Sequence, residues 1–297
     1  MCVNITKKYL DTLDIDNINI IKNKLLKNPE NPKLVIIPIK LPYKRTINII
    51  QDGVLIAGTK QRVAKMFFKE LLKDDSSIKT VVYTGSSYGF GPVATAYGAY
   101  KLGLKSEIFL DGIKDNSIHT RQINTLQALG AKIYLCPSWD ETKQFMYNMI
   151  RPNWKLKKGY YIVPMGLNDG NMTDLLSKQI IKASKNTIID IINPRIWLVA
   201  GSGGIAMSLL KAFPNAKLFI YLTGHGKHKQ NVINWAKNKH NVTIIKPIYF
   251  GEEEKKLRED RHLYYDSVEG YDDLIWPYIK KNALDGDFIW NIASSFF

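Results

Sequence analysis

Three short segments carry residues whose types and spacing could do chemistry. The first is Gly58-Thr59-Lys60-Gln61-Arg62, which opens a stretch with Val63, Met66, Phe67 and Leu71 at helical spacing. A lysine at a helix N-terminus sits among amides of partial positive charge, which disfavours its ammonium and favours a neutral amine or imine. That state suits a Schiff-base lysine, although the segment alone also reads as a solvated first-turn lysine. The second segment, Thr84-Gly85-Ser86-Ser87-Tyr88-Gly89-Phe90-Gly91, lies between a strand-like run and a small-residue helix. Its glycines would let backbone approach a ligand, and the following helix N-terminus could receive a carboxylate or phosphate; a plain turn is the alternative. The third, Gly201-Ser202-Gly203-Gly204-Ile205, follows a run of apolar residues. Strand, glycine loop and helix together can hold a phosphate on backbone N–H groups. This loop has neither the lysine of a P-loop nor the full spacing of a dinucleotide fingerprint.

Other candidates carry less. His225 and His228 stand close, but no cysteine or carboxylate accompanies them, so a polar loop is expected and no metal. Glu252-Glu253-Glu254 followed by Lys255-Lys256 reads as a solvated helix start. Trp276, Phe288 and Trp290 are expected in the core. Cys136 is expected as a buried thiol, and with Cys2 the only other cysteine, no disulfide framework is expected and the setting reads as reducing, intracellular and cytoplasmic.

Elements that could position the three segments alternate along the chain. Strands are expected at 34–39, 80–83, 106–110, 132–136, 160–164, 196–200, 217–222 and 242–247. Helices are expected at 61–73, 92–102, 118–129, 140–149, 174–192, 204–212 and 230–237. This rhythm predicts an α/β fold of mostly parallel sheets flanked by helices. The chain's 297 residues allow two lobes, and the stretch 152–159 is the best candidate for a crossing between them. No apolar run approaches the roughly 20 residues of a membrane span, and residues 1–10 have no apolar signal region. Forty-two Lys and Arg against twenty-seven Asp and Glu leave a net charge of +15, which would attract nucleic acid or other polyanions. The lysines are scattered along the chain and form no basic tract, so a bias in composition is the favoured explanation of the charge.

In this order, the three segments resemble those of the fold-type II pyridoxal-phosphate (PLP) enzymes, the superfamily of cysteine synthase, the tryptophan synthase β chain, D-cysteine desulfhydrase and aminocyclopropane-carboxylate deaminase. Thr59-Lys60-Gln61-Arg62 is similar to that family's lysine motif. Thr84 to Gly91 is similar to its T-S-G-N-T-G-x-G loop, and Gly201 to Gly204 to its phosphate loop. Arg121-Gln122-Ile123-Asn124 through Leu129-Gly130-Ala131, and Tyr160 through Gly166, resemble two further family stretches. The resemblance spans about residues 50–225. It departs at Ser87, where the family has an asparagine that contacts the ring oxygen, and at Ile205, where it has a threonine.

The resemblance implies a two-lobed, tryptophan synthase β-like fold. Residues 1–75 plus 160–297 would form a large cofactor-binding lobe, and 76–159 a small substrate lobe. It implies PLP bound by Lys60, Ser87, Gly201, Ser202, Gly203, Gly204 and Ile205. Tyr271 would stack on the ring, and Ser294 or Ser295 would meet the ring nitrogen. Thr84, Gly85, Ser86, Ser87 and Tyr88 would bind substrate, with the amides of Ser86, Ser87 and Tyr88 on its carboxylate. The implied activity is a lyase or β-replacement on a small amino acid through an external aldimine, with Lys60 as Schiff base and proton shuttle and a homodimer as the usual assembly. Two alternatives stay open: a PLP enzyme acting on an amino group carried by nucleic acid or another polyanion, and an inactive binding protein of the same fold. A nucleotide-binding Rossmann protein is disfavoured, because no acidic ribose ligand stands about twenty residues beyond the glycine loop.

Overall fold

A computed structural model describes residues 3–4, 15–27, 29–111, 117–151, 155–167, 170–187, 189, 193–223, 226–245, 263–268 and 271–293. In chain order the elements begin with β1 (Val3–Asn4), α1 (Ile15–Lys27), β2 (Ile36–Lys40), β3 (Thr46–Gln51) and α2 (Gln61–Asp74). There follow β4 (Thr80–Ser86), α3 (Gly91–Lys101), β5 (Lys105–Asp111), α4 (Ser117–Ala128), β6 (Lys132–Cys136), α5 (Trp139–Ile150) and β7 (Tyr160–Ile162). The remainder is α6 (Gly170–Ser184), β8 (Arg195–Ala200), α7 (Gly204–Ala212), β9 (Lys217–Leu222), α8 (Gly226–Lys237), β10 (Val242–Ile245), α9 (Asp272–Asn282) and β11 (Phe288–Asn291). The chain forms two compact units. The first takes in the described residues up to Glu30 and those from Lys60 to Leu175, and the second Asn31–Thr59 and the described residues from Leu176 onward.

The first unit holds a five-stranded sheet in the order β1-β6-β5-β4-β7, parallel except for β1 against β6. Central β4 is buried along most of its length, as expected of a parallel strand covered on both faces. Small residues let α3 approach closely: a Cβ at Gly98 would lie 2.6 Å from the Phe68 ring and 2.7 Å from the Ala64 carbonyl of α2. On another face Val82, Phe109, Tyr134, Met146 and Ile150 pack together, with the Phe109 and Tyr134 rings stacked at 4.5 Å. Helix α5 opens on Ser138, whose hydroxyl accepts from the Glu141 amide at 3.3 Å. Residues 155–159 connect α5 to β7 within this unit. Cys136, expected as a free thiol, is disulfide-bonded, and this corrects the expectation of reduced cysteines.

The second unit holds a six-stranded sheet in the order β10-β9-β8-β11-β3-β2, parallel except for the β2–β3 hairpin. Ile47, Ile49, Trp197, Val199, Ile275, Trp276 and Ile289 form its core, and Trp276, Phe288 and Trp290 are buried as expected. Asp287, almost fully buried, accepts from Arg195 Nε at 2.8 Å, Trp197 Nε1 at 2.7 Å and the Leu284 amide at 3.1 Å. Arg195 lies over the Phe219 ring, which stacks on Trp197.

Several elements were not anticipated: α1, β3, α9 and β11 had no counterpart in the sequence reading. The β2–β3 hairpin turns through Tyr43 and Lys44, both at positive φ (63° and 59°), in place of the glycine or asparagine that usually marks such a turn. The helix expected over 174–192 runs instead from Gly170 to Ser184. Asn186, at φ 63°, takes the left-handed conformation that commonly follows a helix end. The strand expected over 242–247 ends at Ile245 among the described residues, and 246–247 lie outside them.

Candidate functional site

From the C-terminal end of β3 the chain runs through two short 3-10 turns, Asp52–Val54 and Gly58–Lys60, into α2. Thr59 is fully buried. Its hydroxyl accepts from Trp290 Nε1 at 2.9 Å, and its amide donates to the Ile292 carbonyl at 3.2 Å. The peptide leading into Lys60 is thereby anchored at the C-terminal end of β11. Lys60 itself is half-buried, and desolvation of its ammonium lowers the pKa to about 8. Lys132, by contrast, has its pKa raised, chiefly by a hydrogen bond with Tyr134. Burial is therefore what favours the neutral Lys60 amine, where the sequence pointed to helix-terminal amides.

Thr84, Gly85 and Ser86 belong to β4, so the turn proper covers only Ser87–Phe90. Beneath it Tyr83 folds back, and its hydroxyl accepts from the Gly166 amide at 2.8 Å. A Cβ at Gly85 or Gly91 would collide with the Tyr83 ring. Both glycines thus accommodate the protein's own tyrosine. Ser87 is buried, and its amide donates to Asp111 Oδ1 at 3.2 Å. The Tyr88 amide donates to Ser86 Oγ at 3.3 Å, and the Tyr88 carbonyl accepts from Gln122 Nε2 at 2.9 Å. Two of the three amides assigned to a substrate carboxylate are therefore engaged, that of Tyr88 within the loop and that of Ser87 by the Asp111 carboxylate at the end of β5. Asp111 and Gln122 went unassigned in the sequence because their strand and helix only meet the loop in three dimensions.

In the second unit, Gly201–Gly203 join β8 to α7. Gly203 has φ 83°, and a Cβ there would lie 2.5 Å from Val232 Cγ2. No other residue fits without strain. The first amides of α7 have no intrahelical acceptor, so the loop and helix start offer donors to an anion. Ile205 is buried. Gly203→Ala should lower stability by about 1–3 kcal/mol in urea unfolding. It should also weaken retention of a phosphate-bearing ligand, measured by equilibrium dialysis with PLP.

Tyr271 packs against the second unit's apolar core, just before α9. Ser294 and Ser295 lie outside the described residues. Close to the end of β11 is a buried polar cluster that the sequence reading missed. Asp272 is fully buried, Tyr265 donates to its Oδ2 at 3.0 Å, and its Oδ1 has no hydrogen-bond partner among the described residues. Desolvation raises the Asp272 pKa to about 7, against the opposing hydrogen bond from Tyr265. In the sequence this aspartate reads as an ordinary first-turn acid. Because its folded pKa lies above the unfolded value, its contribution is intact below about pH 4 and lost as pH rises through 7. Asp272→Asn should therefore leave stability at pH 4 nearly unchanged and raise it at pH 8 by about 2–4 kcal/mol, as read from unfolding midpoints.

Both parallel sheets carry their candidate segments at the C-terminal ends of strands, where α/β sheets bind ligands. No protein-family model matches the chain, and no curated protein matches it. Among solved structures, a hydrogen sulfide-producing enzyme of Fusobacterium nucleatum is similar at TM-score 0.61 and 15% identity, over 92% of this chain and 98% of that one. A homologue of ACC deaminase is similar at TM-score 0.62 and 16% identity, over 93% and 94%. Serine racemase of Dictyostelium discoideum is similar at TM-score 0.59 and 14% identity, over 96% and 99%. The chain thus has the α/β, tryptophan synthase β-like fold of the fold-type II pyridoxal-phosphate enzymes.

Proposed function

We propose that the protein is a PLP-dependent enzyme that carries out elimination or β-replacement on a small amino acid. The observation that carries this reading is a lysine of lowered pKa, Lys60, at the fold position where the resemblance puts the Schiff-base lysine. The residues fit the cofactor: an amine available near neutral pH for its aldehyde, and a glycine cradle at a helix N-terminus for its phosphate. Bound PLP would supply an electron sink for charge developing at a substrate Cα.

In this reading Lys60 Nζ would hold the cofactor, and its amine would move a proton at the substrate Cα. Ser202, with the amides of Gly203, Gly204 and Ile205, holds the phosphate. Ser294 would face the ring nitrogen with a hydroxyl, which favours elimination and β-replacement over transamination. The 84–88 segment orients the substrate carboxylate, with Tyr88 narrowing the pocket. Here Asp111 matters, since its carboxylate sits on the Ser87 amide that the substrate would use. Asp111→Asn removes that like charge and should lower KM for amino acids about tenfold or less, with kcat little changed. Raised KM would show instead that Asp111 itself contacts the substrate, through its ammonium.

Reduction of the PLP-loaded protein with borohydride, followed by peptide mapping, tests the reading. Pyridoxyl on Lys60 is expected. A label on another lysine, or none, would overturn it. Turnover is then to be screened with serine, cysteine and their D-enantiomers, and loss of the amino group or of the β-substituent identifies the reaction.

A further inference from the structure

The edge of the first unit's sheet opposite the 84–91 loop collects positive charge. In register Thr80 faces Lys105 across β4–β5, Glu107 faces Lys132 across β5–β6, and Thr80 faces Tyr160 across β4–β7. The parallel strands thus start together, and Lys79, Lys105 and Lys132 stand exposed along that start. Arg151, at the end of α5, and Lys155, Lys157 and Lys158, on the connection into β7, are exposed at the same edge. None of these cations forms an ion pair among the described residues. Elsewhere Lys65 pairs with Glu30, Lys73 with Glu70 and Arg195 with Asp287. The acids near this edge are fewer: Asp74 and Asp75 at the end of α2, and Glu107, which accepts from the Tyr160 hydroxyl.

Compensation of helix dipoles accounts for cations in last turns, such as Lys73 and Lys101. It does not account for lysines on strand starts and on the 155–158 connection. Unpaired like charges gathered at one edge repel each other, which an anionic partner relieves. Aromatic rings are interleaved with the cations. Arg151 lies over the Tyr147 ring at 5.3 Å, Lys157 over Tyr160 at 5.7 Å and Lys132 over Tyr134 at 5.1 Å. Tyr147 is 43% exposed. Across four strands the charged edge runs roughly 14 Å. A polynucleotide strand carries a charge every few ångströms, so several phosphates could be met at once. Few large apolar side chains reach solvent here beyond Tyr147 and Leu156, which leaves little for insertion into a bilayer.

We infer that this edge is a docking surface for single-stranded nucleic acid, held through its phosphates with the exposed Tyr147 ring as a stacking position. Because it lies at the opposite end of the strands from the 84–91 loop, it tethers the protein to the polymer and does not present the polymer to that loop.

The test is fluorescence anisotropy of labelled oligouridylate with the full chain, over about 50 to 200 mM salt. Lys105→Gln/Lys132→Gln/Lys158→Gln should lower affinity at least about tenfold and flatten the logarithmic salt slope by about 2. A variant with the same charge loss in the second unit, Lys33→Gln/Lys40→Gln/Lys211→Gln, should stay within about twofold of the wild type. Both are checked for an unchanged thermal midpoint. Equal weakening by the two variants would overturn the inference in favour of net charge alone. Failure of the wild type to bind, or binding to phosphatidylserine vesicles but not to the oligonucleotide, would overturn it as well.

Discussion

Lys60→Met should abolish pyridoxyl labelling and reduce turnover by at least about 10²–10⁴-fold, the range associated with losing a positioned proton carrier. In the wild type, labelling by PLP and borohydride should rise through about pH 8, because burial has moved the amine there from the ordinary lysine range. The same shift predicts a stability signature that needs no cofactor. Between about pH 8 and 10.5 the unfolded chain binds a proton at this position that the folded chain does not, so the buried lysine weakens the fold below that window. Lys60→Met should stabilise the cofactor-free protein at pH 7 by about 1–2 kcal/mol, discounted for the lysine's partial exposure. The gain should fade as pH rises from about 8 and be gone above about 10.5. A variant that loses labelling yet gains no stability at pH 7 would contradict burial as the source of the lowered pKa.

Asp287→Ala should cause the largest loss of stability away from the candidate site, about 3–5 kcal/mol by urea unfolding. The carboxylate is the common acceptor for the Arg195 guanidinium, the Trp197 indole and the Leu284 amide. Removing it strands the buried Trp197 N–H and leaves Arg195 without its counter-charge. Asp287→Asn keeps one acceptor oxygen and should lose less. Since Asp287 stands at the start of β11, whereas Thr59 and Asp272 gather near its end, protein that remains folded should retain PLP labelling at Lys60.

What the sequence made legible follows from which forces are local. β4, β5, β6, β8 and β9 were read within a residue or two at most boundaries, because buried parallel strands appear as apolar runs between turn signals. The glycine segments were visible for the same reason: a strand followed by Gly-Ser-Gly-Gly has few other uses. β3 was missed, since Thr46-Ile-Asn-Ile-Ile-Gln mixes polar residues into a strand whose hairpin turn shows no glycine. α9 and β11 belong to a region whose meaning lies in distant pairings, such as Trp290 with Thr59. The roles of Asp111, Gln122 and Asp272 depend on partners 7 to 34 residues away, and no spacing rule connects them. Gly85 and Gly91 show the converse, a ligand-like signal with an internal explanation in Tyr83.

The hairpin strand β2 borders the six-stranded sheet, with Val35 and Ile37 exposed. The Gln51 amide donates to the Val35 carbonyl, which sets the odd-numbered residues of the strand facing β3 and turns the backbone of Ile36, Pro38 and Lys40 outward. One of those three outward positions is a proline, which has no N–H to offer, and lysines flank the apolar run at 33 and 40. A greasy border that would otherwise invite another chain to zip onto it is thus interrupted at its middle, a safeguard against fibrous growth built into a single imino acid.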